Sequence, residues 1–167
     1  LTATNRPLPV ALAVFVAMEV LKALDYAHDG RDARGMPLKV IHRDVKPHNV
    51  LVSYDGHVRL TDFGSGHLLE PDRLAQLGIT RMGMTVEDSG GGGSNSGTPL
   101  YIAPEHFEGQ APTVKSDVFA LGILLYQLLS GRVGLPMVSG WEAQIDDELL
   151  REDLRLASDG DPERRLG

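Results

Sequence analysis

Asp44, Lys46, Asn49 and Asp62 supply two carboxylates, an ammonium and a carboxamide oxygen within HRDVKPHNVLVSYDGHVRLTDF, residues 42–63. Asp44 and Asn49 stand on either side of Pro47, and Lys46 lies in the loop between them. A carboxylate that accepts a hydroxyl proton, beside a cation that neutralises phosphate charge, is the equipment of phosphoryl transfer. Asp55-Gly56 between two apolar runs predicts a hairpin with a two-residue turn. Centred there, the pairing sets Ser53 opposite Val58, Val52 opposite Arg59, Leu51 opposite Leu60, Val50 opposite Thr61 and Asn49 opposite Asp62. Asn49 and Asp62 would then be cross-strand neighbours with Cα atoms roughly 4.5–5.5 Å apart. Strand alternation would put Leu51 and Leu60 on their face. An apolar platform beside a carboxylate and a carboxamide oxygen suits a nucleotide base next to hydrated magnesium, which prefers oxygen ligands and keeps several waters.

These elements must be placed by the rest of the chain, and the rest of the chain carries further motifs. The order H-R-D-x-K-P-x-N followed by D-F-G resembles the eukaryotic-type (bacterial Hanks-type) serine/threonine protein kinases. GTPLYIAPE, residues 97–105, resembles their substrate-proximal loop. SDVFALGILLYQLLSGR, residues 116–132, resembles their long buried helix, and DPERR, residues 161–165, their late D-P-x-x-R. The motifs follow in family order over about three quarters of the chain.

The resemblance implies transfer of the ATP γ-phosphate to Ser or Thr hydroxyls of protein substrates, with Mg2+ or Mn2+ as the metal. It makes Asp44 the catalytic base and Lys46 the phosphate-contacting lysine; tyrosine kinases generally carry arginine patterns there. Asn49 and Asp62 become the metal positions, with ATP lying over Leu51. Thr98 would hydrogen-bond Asp44 and Lys46. Arg43 would meet a phosphate on the activation segment, 62–105, whose Thr85, Ser89, Ser94 and Ser96 are candidate acceptors. His42 and Phe63 read as packing residues, Asp117 as the helix aspartate that holds the catalytic-loop backbone, and Glu105 with Arg165 as a structural ion pair. Taken singly, Asp44 would be an amide cap, Lys46 a solvated lysine, Asn49 a turn former and Arg43 a partner for any carboxylate; their common order outweighs those readings. His28, His48, His57, His67 and His106 lack metal-ligand spacing and read as surface or loop residues.

The 167 residues suffice for one core and one domain. A formal charge of −7, from 23 acidic and 16 basic residues, argues against nucleic acid as partner. The chain has no cysteine, which excludes disulfides and thiolate metal sites and allows a reducing compartment. The apolar run Leu8 to Met18 stops at Glu19, short of a membrane span, and no signal peptide is evident. A cytoplasmic location is the expectation. Leu1 is not an initiator methionine, which suggests a piece of something longer.

Periodicity predicts a helix from Pro9 to His28 with an apolar face of Leu12, Phe15, Val16, Leu21 and Leu24. A polar loop, RDARGMP, leads to a short strand over Lys39 to His42 and then to the hairpin. From Gly64 to Thr98 periodicity is lost and SGGGGSNSG reads as a flexible tract; the span from Asp62 to Glu105 is long for the corresponding kinase loop. Helices follow over Val114 to Ser130, stopped by Gly131, and Ile145 to Ala157, with Asp146, Asp147 and Glu148 near its start. The fold class is therefore mainly α with a small β-hairpin, resembling a protein-kinase C-terminal lobe: catalytic loop 42–49, D-F-G 62–64, buried helix about 114–130. Neither a G-x-G-x-x-G strand nor a V-A-I-K-like lysine precedes Asp44, so the N-terminal β-rich lobe is absent from this chain, and the missing lobe and further domains of a parent chain are the expected partners. Without them the chain is expected to be inactive. The rival readings are a non-catalytic kinase-like binding module and a small-molecule kinase of similar fold; GTPLYIAPE argues against the latter.

Overall fold

The computed structural model describes residues 6–63, 98–134, 136, 137, 139–145 and 147–165. Two long helices form its centre: α1, Val10–His28, and α2, Val114–Ser130. α2 is apolar nearly all round and is buried nearly all round, which is how a helix of that composition must sit in water. Its start is fixed by a reciprocal cap in which Thr113 and Ser116 each satisfy the other's backbone amide. Its end is fixed by Gly131, whose φ of 71° lies in the left-handed region that glycine enters without steric cost.

α1 packs on α2 through Ala13, Val16, Ala17, Val20 and Leu24, which meet Ala120, Leu121, Ile123, Leu124 and Leu128 together with Val45, Val50 and Tyr101. The apolar face predicted for α1 is therefore only partly the buried one. Val16 and Leu24 are inside, whereas Leu12, Phe15 and Leu21 are exposed. The reason is size: Ala13 and Ala17 let the two helix backbones approach, and the stripe follows the small residues instead of the large ones. A hydrogen bond and a close approach tie the segment before α1 to the far end of α2. Leu8 N–H donates to the Leu128 carbonyl at 2.8 Å, and an added Cβ on Gly131 would meet Pro7 N at 2.5 Å, so the chain passes directly over that glycine.

The predicted strand over Lys39 to His42 does not form. Val40 N–H bonds the Ala27 carbonyl at 3.2 Å. Lys39, however, turns to φ 45°, which breaks an extended run. The hairpin consists of β1, Val50–Val52, and β2, Val58–Leu60, and its register is one residue away from the expected one. Val50 pairs with Leu60, Leu51 with Arg59 and Val52 with Val58. The turn holds three residues, Tyr54, Asp55 and Gly56, because Gly56 takes φ 88° while its N–H bonds the Ser53 carbonyl at 3.0 Å. That is a type I turn followed by a left-handed residue, a common alternative to the two-residue turn. Leu51 and Leu60 thus do not face one another, and Asn49 stands opposite Thr61, whose N–H it accepts at 2.9 Å.

The last helix, α3, covers Glu148–Ala157 and starts later than expected. Asp147 caps it by accepting the Leu150 N–H at 2.9 Å, and Glu148 stands in its first turn, where the helix amides favour negative charge; Asp146 lies outside the described residues. Ile145, the predicted first residue, is instead a buried anchor before the helix, in a second core with Tyr126, Trp141, Leu150 and Leu154. Tyr126 and Trp141 meet edge to face with centroids 5.9 Å apart, an arrangement that aromatic quadrupoles favour. Among the described residues no helix is long and apolar enough to cross a membrane.

Candidate active site

The loop after His42 is bent back on itself by the 3-10 turn Pro47–Asn49, where proline sits at the start and needs no amide partner. The bend brings Asn49 against Asp44. The Asn49 amide nitrogen donates to the Asp44 carbonyl at 2.7 Å and to Asp44 Oδ2 at 3.0 Å. Lys46 Nζ lies 2.7 Å from the same Oδ2. Asn49 is buried, while Asp44 and Lys46 are part-buried, so the carboxylate is held from one side and reachable from the other.

Behind the loop, His42 is fully buried. Asp44 N–H points to its Nδ1 at 3.2 Å, and its Nε2 lies 2.9 Å from the Thr61 carbonyl. These partners make Nδ1 the acceptor and Nε2 the donor, so both ring nitrogens are occupied in holding the loop to the end of β2. Phe63 packs on the ring, with centroids 4.4 Å apart. Asp62 has φ 64° and Arg43 φ 71°. Residues with a Cβ enter that region rarely and keep to it only where their surroundings over-determine it.

Asp117, in the first turn of α2, supplies that determination for Arg43. Its carboxylate is 1% exposed. It accepts from His42 N–H at 2.8 Å and Arg43 N–H at 2.9 Å, and His28 Nε2 lies 2.8 Å from Oδ2. The Arg43 side chain is exposed and makes no ion pair among the described residues. Two of the histidines read as surface residues are not so placed. His28 is part-buried against Asp117, and His106 is buried with Nδ1 3.0 Å from the Gln110 carbonyl. His48 and His57 are exposed, and His67 lies outside the described residues. The signal for His28 is present in the sequence, since it continues the four-residue row Val16, Val20, Leu24.

On the other side of α2, Glu105 and Arg165 form a buried bidentate pair, with both N–O distances 2.7 Å. Arg165 also donates to the carbonyls of Asp159 and Lys115, and its guanidinium lies 4.8 Å from the Phe119 ring centroid, a cation–π contact. Burial alone would raise the Glu105 pKa; the Arg165 hydrogen bonds, a backbone bond, the guanidinium charge and Ser116 outweigh it and hold the carboxyl below its ordinary value. Tyr101 donates its hydroxyl to Gln127 of α2, and burial pushes its pKa up to about 12. Thr98 opens the 3-10 turn Thr98–Tyr101. Its side-chain environment, and Thr85, Ser89, Ser94 and Ser96, lie outside the described residues.

The donor set suits a hard cation. Both Asn49 amide hydrogens are directed to Asp44, which leaves the carboxamide oxygen as acceptor, and Asp62 carries a carboxylate one residue beyond Thr61, whose N–H bonds the Asn49 carbonyl. Among the described residues no three His, Cys, Asp or Glu side chains gather as a metal cage. Magnesium needs none, since it binds through one or two protein oxygens with water and phosphate completing its shell.

A family model described as the protein kinase domain matches residues 1–159. The probable serine/threonine-protein kinase PknB of Lactococcus lactis is 36% identical over 129 residues, covering 77% of this chain and 17% of that protein. The serine/threonine-protein kinase PrkC of Bacillus subtilis is 32% identical over 129 residues, covering 77% of this chain and 16% of its own length. The crystal structure of the Mycobacterium tuberculosis PknI kinase domain superposes with a TM-score of 0.62 at 27% identity, over 97% of this chain and 52% of that one. This chain thus spans about half of a solved kinase domain and about a sixth of each of these two relatives. With the family model matching residues 1–159 and a solved kinase domain superposing over 97% of its length, the chain belongs to the protein kinase domain family.

Proposed function

We propose that this chain is the catalytic-loop half of a serine/threonine protein kinase that transfers the γ-phosphate of ATP to protein hydroxyls. The observation that carries the reading is the Asp44 carboxylate held between the Lys46 ammonium and the Asn49 carboxamide. Asp44 orients the acceptor hydroxyl and takes its proton as the bond to phosphorus forms. Lys46, close enough to serve both the carboxylate and the incoming phosphoryl group, offsets the charge on the transferred oxygens. Asn49 and Asp62 would hold the magnesium or manganese ion, which when bound neutralises phosphate charge. Exposed Leu51 offers an apolar surface for the adenine ring. Arg43, whose guanidinium makes no ion pair among the described residues, would receive a phosphate carried on the segment between Gly64 and Gly97. The likeness to the serine/threonine-protein kinases PknB and PrkC supports serine and threonine as acceptors, and Lys46 is the residue that agrees with them.

The test is a pair of substitutions in the intact parent protein. Asp62→Asn should weaken binding of the magnesium nucleotide. Asp44→Asn should leave nucleotide affinity within about twofold and lower kcat by at least about a hundredfold, the usual contribution of a positioned base. Calorimetric titration with nucleotide alongside steady-state kinetics separates the two, and an equal loss of nucleotide affinity in both variants sinks the assignment.

A further inference from the structure

His106 is 2% exposed, yet the tip of chain that follows it, Glu108 to Gln110, is exposed. His106 sits in the 3-10 turn Pro104–Glu108, which Gly109 ends at a φ of 82°, so the backbone turns sharply just beyond it. Its Nδ1 lies 3.0 Å from the Gln110 carbonyl. A carbonyl only accepts, which makes Nδ1 the protonated, donating nitrogen. The Gln110 N–H bonds the Glu105 carbonyl at 3.1 Å, and the Gly109 N–H bonds the His106 carbonyl at 3.1 Å. One buried ring thus holds an exposed tip. The same residue lines the small cavity whose wall includes Arg43 and the buried stretch Tyr101 to Ala103, so it stands where the catalytic loop and the segment GTPLYIAPE meet.

We propose that His106 is a positioning residue for the protein substrate. By donating from Nδ1 it closes residues 103–110 into a fixed shape, and that shape supports the surface beside the catalytic loop along which polypeptide flanking the acceptor hydroxyl lies. With the bond removed, the Glu105 and Arg165 pair still anchors the segment and the fold survives. The tip, however, must then be ordered each time a substrate arrives, and that ordering is subtracted from binding. Asp44 takes its own bonds from Lys46 and Asn49, so the loss registers in substrate capture and not in the transfer step. The effect on substrate rests on the kinase reading; the closure of the segment by His106 does not.

The experiment compares His106→Leu with His106→Asn in the intact parent protein, with casein as the substrate probe. Asparagine places an N–H donor the same number of bonds from Cα as the imidazole Nδ1. His106→Leu should raise KM for casein about tenfold while kcat and KM for ATP stay within about twofold, and His106→Asn should recover most of the loss. Hydrogen exchange supplies a readout free of activity. In His106→Leu the Gly109 and Gln110 amides should exchange about tenfold faster while Val20 and Leu124 keep their protection. An unchanged KM for casein, a rise shared equally by casein and ATP, no recovery with asparagine, or unchanged exchange at the two amides would each overturn the proposal. If the wild-type parent phosphorylates neither casein nor itself the kinase reading fails, and the two amides still decide whether His106 closes the segment.

Discussion

Glu105 is 3% exposed and yet kept charged, because two Arg165 nitrogens, a backbone amide and Ser116 serve a carboxylate that burial alone would neutralise. Its folded pKa lies below the ordinary 4.5, so the pair contributes stability that is fully present above the unfolded value and is lost as pH falls through the folded one. Glu105→Gln should therefore be destabilising near neutrality, with a gap from the wild type that closes on acidification. Urea midpoints of both proteins from about pH 7 to about pH 3 check this; a constant gap would assign the role of Glu105 to shape and not to charge. Among single residues, legibility depends on sequence distance. Asp44, Lys46 and Asn49 can be grouped by inspection because Pro47 bends a short loop and no long-range contact is needed to bring them together. The partnership of His28 and Asp117 crosses 89 positions, and a histidine at a helix end carries no local sign of what it will meet.

Elements are legible where one local rule governs them. α2 is apolar nearly all round, begins at the Thr113 and Ser116 cap and ends at Gly131, and its limits follow from that. The hairpin departs from expectation by one residue because Asp55-Gly56 fits both a two-residue turn and the last two positions of a three-residue one; Tyr54, fully exposed at the tip, decides between them only through the pairing of Ser53 with His57. The buried side of α1 departs because apolar size is a poor guide where close approach selects alanine. Glycine positions give a sharper test of the elements. Gly131 and Gly140 share a left-handed backbone, at φ 71° and 74°, but an added Cβ meets Pro7 N at 2.5 Å in the first and nothing within 4 Å in the second. Gly140→Ala should cost only the backbone contribution of about 1–2 kcal/mol. Gly131→Ala should cost that plus about 1–3 kcal/mol for displacing the segment before α1. Equal denaturation midpoints for the two variants would contradict the close approach.

For the molecule as a whole, the described surface includes an apolar row along α1, where Leu12, Phe15, Met18 and Leu21 are 45%, 43%, 52% and 48% exposed. The cavity beside Arg43 has a volume of about 10 Å³, room for a water and far short of a nucleotide. With about half of a solved kinase domain spanned, residues 1–167 in isolation should transfer negligible phosphate to a generic protein substrate, since alignment supplies much of the barrier reduction in such reactions. Robust turnover by the purified chain would overturn that expectation. The bonds at the two ends of α1 have a mechanical meaning as well. Leu8 is fastened to the last turn of α2 and His28 to its first, so the antiparallel helices are bolted at both ends. α1 cannot slide along α2 without shearing both fastenings, and tension applied to the chain at Arg6 is delivered first to the Leu128 carbonyl, far from the catalytic loop. The helix pair is therefore braced at both ends against a shift of α1 relative to α2.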